Sequence, residues 1–511
     1  MKTRHVITAL AAAAMTLQLL GGPASAQTPP ALDFSFLPTT GTAGTPIAYQ
    51  GTGCTHDANR PHDGVFILTK DGTTGAQDTF VSNASGAFTG EYDTTGLTPG
   101  VYTTIVTCVS TGVSGIGSPF TVTVPPPPPG SPYHPTAPSR ILDTRSGVGI
   151  GGTPNAIGPA GVIDLQVTGA AGVPAGAKAV ALNVTATNAS GPSHLTVWPK
   201  GSVQPDASNL NFSSGVSVPN LVIAQLGTDG KVSIRNNQGT VHVVADVQGW
   251  YSNTGDPGSR YVPIDPQRIL DTREGLGAPQ AQVGADGVIE LAVTGVANVP
   301  ANAAAVVLNM TVDQATGPEA FLTVWPSGNS MPTASNLNFT GGPATTNLVI
   351  ARVGAGGKVA IYNSQGATDV IADVQGWFTA PAATNGSTYF GTNPVRILDS
   401  RNGTGTPGGA SGQRGNYATI DLAVAGVSGV PATGVTSVVL NVTVADSPGP
   451  DSFLTLFPSG TARQVTSNLN YSAGETVANL VIARVNNGKV AIYNHHGSTN
   501  VIADVQGWFS G

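Results

Sequence analysis

The sequence predicts an all-β chain, an N-terminal sandwich followed by three tandem jelly-roll-like β-sandwiches or small barrels. Three observations predict it. Only 10% of the residues are charged, and 67 Gly and 39 Pro stand among 511 positions, a composition suited to short strands joined by many turns. Short segments rich in Val, Ile, Leu and aromatics recur between Gly, Pro, Asn and Ser, and several alternate with period two. Finally, one phrase occurs three times at intervals of 128 residues: Arg140-Ile-Leu-Asp-Thr-Arg145, Arg268-Ile-Leu-Asp-Thr-Arg273 and Arg396-Ile-Leu-Asp-Ser-Arg401. That period exceeds the roughly twenty to fifty residues of solenoid units, so each copy is expected to hold its own core, three beads instead of one coil.

From the N-terminus, Lys2, Arg4 and His5 precede an apolar stretch from Val6 to Leu20 and the small-residue pattern Ala24-Ser25-Ala26. Residues 1–26 therefore read as a secretory signal peptide, with the mature chain expected to start at Gln27. No later run of eighteen apolar residues is present, and the C-terminal Trp508-Phe509-Ser510-Gly511 lacks an anchor pattern. The expected location is extracellular, secreted or held non-covalently at the cell wall. Removing Lys2 and Arg4 leaves 19 basic residues against 28 acidic ones, a formal charge of −9. That balance argues against nucleic-acid partners and anionic membranes.

Residues 31–124 form the first module. Cys54 and Cys108 are the only cysteines, and an exported chain with one pair most simply joins them. Closing that loop of 54 residues is expected to stabilise the fold by about 4 kcal/mol. Around them, Thr45-Pro-Ile-Ala-Tyr-Gln50, Val65-Phe-Ile-Leu-Thr-Lys70, Ala87-Phe-Thr-Gly-Glu-Tyr92, Val101-Tyr-Thr-Thr-Ile-Val-Thr-Cys108 and Phe120-Thr-Val-Thr-Val124 read as antiparallel strands. Through Gly51-Thr-Gly-Cys54, the Pro99 to Cys108 strand and the closing Phe120 to Val124 strand, this segment resembles a bacterial immunoglobulin-like domain, without the buried Trp of antibody domains. The resemblance implies a spacer or adhesion module. His56, Asp57, Asn59, His62 and Asp63 cluster after Cys54. Their spacing matches no established metal site, and the reading adopted is a polar loop; no metal and no cofactor is expected.

Residues 125–132 are a linker, in which Pro125 to Pro129 would extend roughly 15 Å in polyproline II geometry. The copies follow as residues 133–252, 261–379 and 389–511, opened by Tyr133, Tyr261 and Tyr389 in equal register. The joints between them, Ser252 to Ser259 and Thr379 to Thr388, are short, and some swing is expected at each. Eight to ten strands in about 120 residues imply two packed sheets or a closed barrel, because one open sheet would leave an apolar face wet. From the Arg-Ile-Leu-Asp-Thr/Ser-Arg opening to the closing Ala-Asp-Val-Gln-Gly-Trp-Tyr/Phe, the copies resemble a repeat module of exported proteins from GC-rich Gram-positive bacteria. The resemblance implies an accessory or surface role and no particular activity.

Two sets of side chains stand out in the copies. Each places Arg140, Asp143 and Arg145 (Arg268, Asp271, Arg273; Arg396, Asp399, Arg401) in its first strand and Asp246, Asp373 or Asp504 in an apolar last strand. A buried acid needs a partner, so a structural charge network tying first strand to last is expected. The candidate ligand face comprises Trp198, Asn209 and Asn211, Trp325, Asn336 and Asn338, and Phe457, Asn468 and Asn470. A ring beside amides at i and i+2 suits a sugar; the competing reading is that the rings fill the core and the asparagines order turns.

No Gly-x-Ser-x-Gly, His-Glu-x-x-His, Walker or EF-hand pattern occurs, and the histidines are scattered. The chain is therefore expected to be a non-enzymatic surface protein, with no catalytic residues, binding cell-wall or extracellular polysaccharide multivalently through its copies. The alternative is a passive stalk presenting the immunoglobulin-like domain to a surface protein, and an extracellular hydrolase is the remote third.

Overall fold

The computed structural model describes residues 32–42, 44–70, 73–95, 97, 100–123, 130–253 and 255–511. The expected signal peptide, residues 1–26, and Pro125 to Pro129 lie outside them. The chain divides into two compact units near residue 127.

The first unit is an immunoglobulin-like sandwich. One sheet has the order β1 (Asp33–Leu37), β3 (Ile47–Thr52), β6 (Phe88–Tyr92). The other runs β2 (Thr40–Thr42), β9 (Phe120–Thr123), β7 (Gly100–Cys108), β4 (Gly64–Lys70), β5 (Thr73–Phe80), with β8 (Ser114–Ile116) also on β7. Among the described residues of this unit, only β2 and β9 pair in parallel. Alternation along β4 and β7 turns Phe66, Leu68, Tyr102 and Val106 inward against Ile47 and Tyr49. The Cys54–Cys108 disulfide connects the residue just after β3 to the end of β7 and so staples the two sheets, with 5.4 Å between the Cα atoms.

Each copy in the second unit is a jelly roll. In the first, β10 (Tyr133–Asp143), β17 (His242–Tyr251), β12 (Ala179–Thr187) and β15 (Val218–Gln225) form an inner sheet in that order. The outer sheet is β11 (Val162–Gln166), β16 (Lys231–Asn236), β13 (Ser193–Pro199) and β14 (Leu210–Phe212). Eight strands, all antiparallel, pass back and forth between the two sheets, save for the β13–β14 hairpin within the outer one, in jelly-roll order. Copies two and three repeat the order strand for strand, and each copy holds its own core.

The copies are not beads that swing. All three share a further core, to which each contributes the second face of its inner sheet. On β12, Val180, Leu182, Val184 and Ala186 point into the copy's own sandwich, while Ala179 and Ala181 point to the shared core, so the strand is buried on both faces. Six rings close a cycle there. In the order Tyr133, Phe378, Tyr261, Phe509, Tyr389, Tyr251, adjacent centroids lie 4.4 to 5.5 Å apart. The backbone closes the same cycle: Tyr133 N–H donates to Ser259 O, Tyr261 N–H to Ser387 O, and Tyr389 N–H to Ser131 O. The unit is thus a closed ring with approximate threefold symmetry, and the short joints that suggested swing are themselves part of the seams.

The ring explains two features of the repeated phrases. A Cβ at Gly249, Gly376 or Gly507 would overlap the ring of Tyr133, Tyr261 or Tyr389, so the Gly of Asp-Val-Gln-Gly-Trp seats the tyrosine that opens each copy. The hydroxyls of those tyrosines donate to the carbonyls of Gln248, Gln375 and Gln506. Tyr251 differs. It stands where the other copies have Phe378 and Phe509, and its fully buried hydroxyl has no hydrogen-bond partner among the described residues. Tyr251→Phe is therefore expected to raise the stability of this unit by about 1 to 2 kcal/mol in denaturant titrations; a loss would show that the hydroxyl is bonded.

Candidate functional site

The structure turns the candidate ligand face inward. Trp198, Trp325 and Phe457 are buried. Their strands abut the first strand of a neighbouring copy, and Phe457, with Ile264 and Pro266 of copy two, lines a small cavity at the seam. Trp325 Nε1 donates to Asn329 O at 3.0 Å. Asn209, Asn336 and Asn468 are about 1% exposed, and their Oδ1 atoms accept from the backbone N–H groups of Val197, Val324 and Leu456 at 2.7 Å. Asn211, Asn338 and Asn470 are half-buried, Asn211 taking a bond from Ser208. Trp198, Trp325, Phe457, Asn209, Asn336 and Asn468 are corrected from a ligand face to strand and seam supports. Rings at a strand end satisfy the hydrophobic effect against a neighbouring copy as well as against a ligand, and the neighbour is what they meet.

Beside them runs a second set of amides. Asn220, Asn347 and Asn479 donate across the seams to the Oδ1 atoms of Asn441, Asn183 and Asn309, at 2.9, 3.0 and 3.4 Å. Each donates its other hydrogen to the carbonyl of Asn209, Asn336 or Asn468. Their own Oδ1 atoms accept from Leu480, Leu221 and Leu348 N–H of another copy. This buried amide cycle fixes the register between copies.

The charged residues form one network per copy. Arg268 grips Asp373 in two places, Nε–Oδ1 2.9 Å and Nη2–Oδ2 3.3 Å, and reaches Asp271 at 3.1 Å, while Arg273 grips Asp271 from the other side. Arg140, Asp143, Arg145 and Asp246 are arranged alike, as are Arg396, Asp399, Arg401 and Asp504. Burial raises the carboxyls of Asp246, Asp373 and Asp504, the last to about 6, against the opposing pull of their arginines. Asp143, Asp271 and Asp399 are lowered, chiefly by hydrogen bonds from Arg145, Arg273 and Arg401. In each network the aspartate of the last strand is thus raised and that of the first strand lowered.

In the first unit the His56 to Asp63 loop is held by Asp63, which accepts from Asp57 N–H, Ser82 N–H and Ser82 Oγ and pairs with His56 Nδ1 at 2.9 Å. No three or more acidic, His or Cys side chains converge as a metal set among the described residues. Burial alone would raise Asp63, but those hydrogen bonds outweigh it and hold the carboxyl well below the usual range. Its contribution to stability is therefore full above the unfolded carboxyl pKa of about 4 and falls away as pH drops further. The melting transition of this unit is expected to move down between pH 5 and 2, and Asp63→Asn should flatten that slope; an unchanged slope would remove Asp63 as its cause.

The exposed feature with chemical character lies on the outer sheet of copy three. Tyr417, which is 60% exposed, stands just before the strand Thr419–Ala423; Tyr493 ends the strand Lys489–Asn494 with Asn494, and His495 and His496 follow. Phe453 lies on the adjacent strand Ser452–Pro458. The Phe453 and His495 rings stack at 4.4 Å and the His495 and His496 rings at 4.0 Å. Tyr417 Oη meets His496 Nε2 at 3.0 Å, and Tyr493 Oη meets His495 Nδ1 at 3.2 Å. The Arg463 guanidinium sits over Tyr493 at 4.2 Å from its centroid. His495 is lowered by burial and by its neighbours His496 and Arg463.

Two further facts single out this cluster. Tyr417 has φ 58°, a left-handed conformation unfavourable for a bulky residue and not repaid here by burial. The fold does not require the cluster, because Ala160 and Asp286 take the Tyr417 position and Asn237-Gln238 and Ser364-Gln365 replace His495-His496 in the other copies. Sequence reasoning passed over these residues while seeking what the copies share; the signal was where copy three departs from the other two.

No protein-family model matches the chain, and no curated protein does. Among solved structures it is similar to one described as the triple jelly roll fold and turret assembly in an archaeal virus, at 10% identity and TM-score 0.16, covering 75% of this chain and 90% of that one. It is also similar to the alpha-2-macroglobulins of Salmonella (10% identity) and E. coli (9%), at TM-score 0.16, spanning 27% of each of those chains and 88% and 89% of this one. Likenesses this weak carry no functional argument.

Proposed function

We propose that the chain is an exported, non-catalytic protein that binds extracellular or cell-wall polysaccharide through the outward sheet faces of its three fused copies. The observation that carries this reading is the exposed ring of Tyr417, which offers CH contacts to a sugar, beside the half-buried His495 and His496, which offer hydrogen bonds at its edge. Because the ring fixes the three faces relative to one another, a polymer that reaches more than one meets them at constant spacing. Co-sedimentation of the full chain with peptidoglycan, chitin, cellulose and washed cell walls tests the proposal. Retention by at least one polymer is expected, reduced about fivefold in Tyr417→Ala with no loss of melting temperature, since a stacked ring contributes about 1 kcal/mol. Retention that ignores Tyr417 would sink the assignment.

A further inference from the structure

Resting on that sugar-binding reading, we infer that the face of copy three takes a carboxylated sugar polymer, with Arg463 receiving the carboxylate. Arg463 is exposed, and among the described residues no carboxylate lies within ion-pair distance of it. The arginines of the three networks are committed to aspartates; Arg463 is one of several outside them without a carboxylate partner among the described residues, and the one placed over an aromatic ring. Its one hydrogen bond, to Gln464 O, is long at 3.5 Å, which leaves most of the five guanidinium donors available.

Stacking on Tyr493 holds the guanidinium plane over the aromatic face and limits the side-chain freedom lost on binding. A hexose packed on Tyr417 beside it would bring an equatorial carboxylate to the planar fork, the geometry in which Arg binds carboxylates in two places. His495 and His496 add no negative charge, and each retains one ring nitrogen outside its bond to a tyrosine. The corresponding surface of copy two is opposite in sign: Asp286 replaces Tyr417 and accepts the Tyr362 hydroxyl at 2.6 Å. The faces of copies two and three therefore differ in charge on a common frame, and of these two the acid site is assigned to copy three.

Binding of the full chain to polygalacturonate and to its methyl ester, which shares the backbone but carries no charge, decides the point. The expected result is retention by polygalacturonate that weakens with added salt, falls about tenfold in Arg463→Gln and is partly restored in Arg463→Lys, with the ester bound less tightly and indifferent to both changes. Equal binding of acid and ester, both lost in Tyr417→Ala, would overturn the acidic assignment and leave the sugar site standing. Failure to bind either, with retention by chitin or cellulose, would also overturn it; failure with every polymer would overturn both.

Discussion

Asn347→Ala is expected to destabilise the three-copy unit by about 4 kcal/mol, more than any single truncation of an exposed residue. The side chain is fully buried and makes three bonds, two of them across a seam: it donates to Asn183 Oδ1 and Asn336 O and accepts from Leu221 N–H. Alanine leaves all three partners buried and unpaired, each at a cost of about 1 to 3 kcal/mol that overlaps in part with the others. Asn347→Asp should do no better, because a carboxylate would face two acceptors. Asn338→Ala, at a half-buried position nearby, should cost under about 1 kcal/mol. Calorimetry of the full chain reads the result: the transition of the ring should move while that of the disulfide-bonded unit stays. A change below about 1 kcal/mol for Asn347→Ala would mean that the copies hold together without the amide cycle.

Arg268→Met is the second large effect, at about 3 to 5 kcal/mol at neutral pH. Met fills the volume but leaves Asp373, about 1% exposed, without the cation that grips it in two places. The sign of its pH dependence separates charge from packing. With Arg268 gone, burial raises the Asp373 carboxyl further, so the folded state binds a proton more tightly than the unfolded state. The penalty should be full above the raised folded pKa and fade as pH falls toward about 4, where the unfolded carboxyl is also protonated. Denaturant titrations at pH 7.5 and pH 4.5 should therefore show a smaller deficit at the lower pH. An equal deficit at both would assign the loss to packing. Changing Arg268 and Asp373 together to Met and Leu should recover much of it.

How the sequence reads depends on which partner a face meets. Period-two alternation in β4 and β7 and the single cysteine pair made the first sandwich legible, since one face of each sheet is wet. The jelly rolls were legible from strand number alone. Their assembly was not, although a sign of it stands in β12: Ala179-Val-Ala-Leu-Asn-Val-Thr-Ala-Thr187 is small or apolar on both faces, as befits a sheet covered on both sides. The period of 128 residues set that sign aside, because a copy large enough for its own core does not need its neighbours. Trp198 and Trp325 misled for a related reason: an aromatic at a strand end looks alike whether solvent, a sugar or another copy lies beyond it.

The closing contact of the ring also governs how the unit bears load. Ser131, where the chain enters, pairs with Tyr389, and Gly511 lies against Gly386 and Ser387, so both ends of the ring sit at one seam. Tension applied between residues 130 and 511 would thus pull on the few bonds of that seam and leave the jelly rolls unstretched, and three copies laid round a circle add almost no reach along the line of force. Such a unit is mechanically a knot in the chain and not a rod.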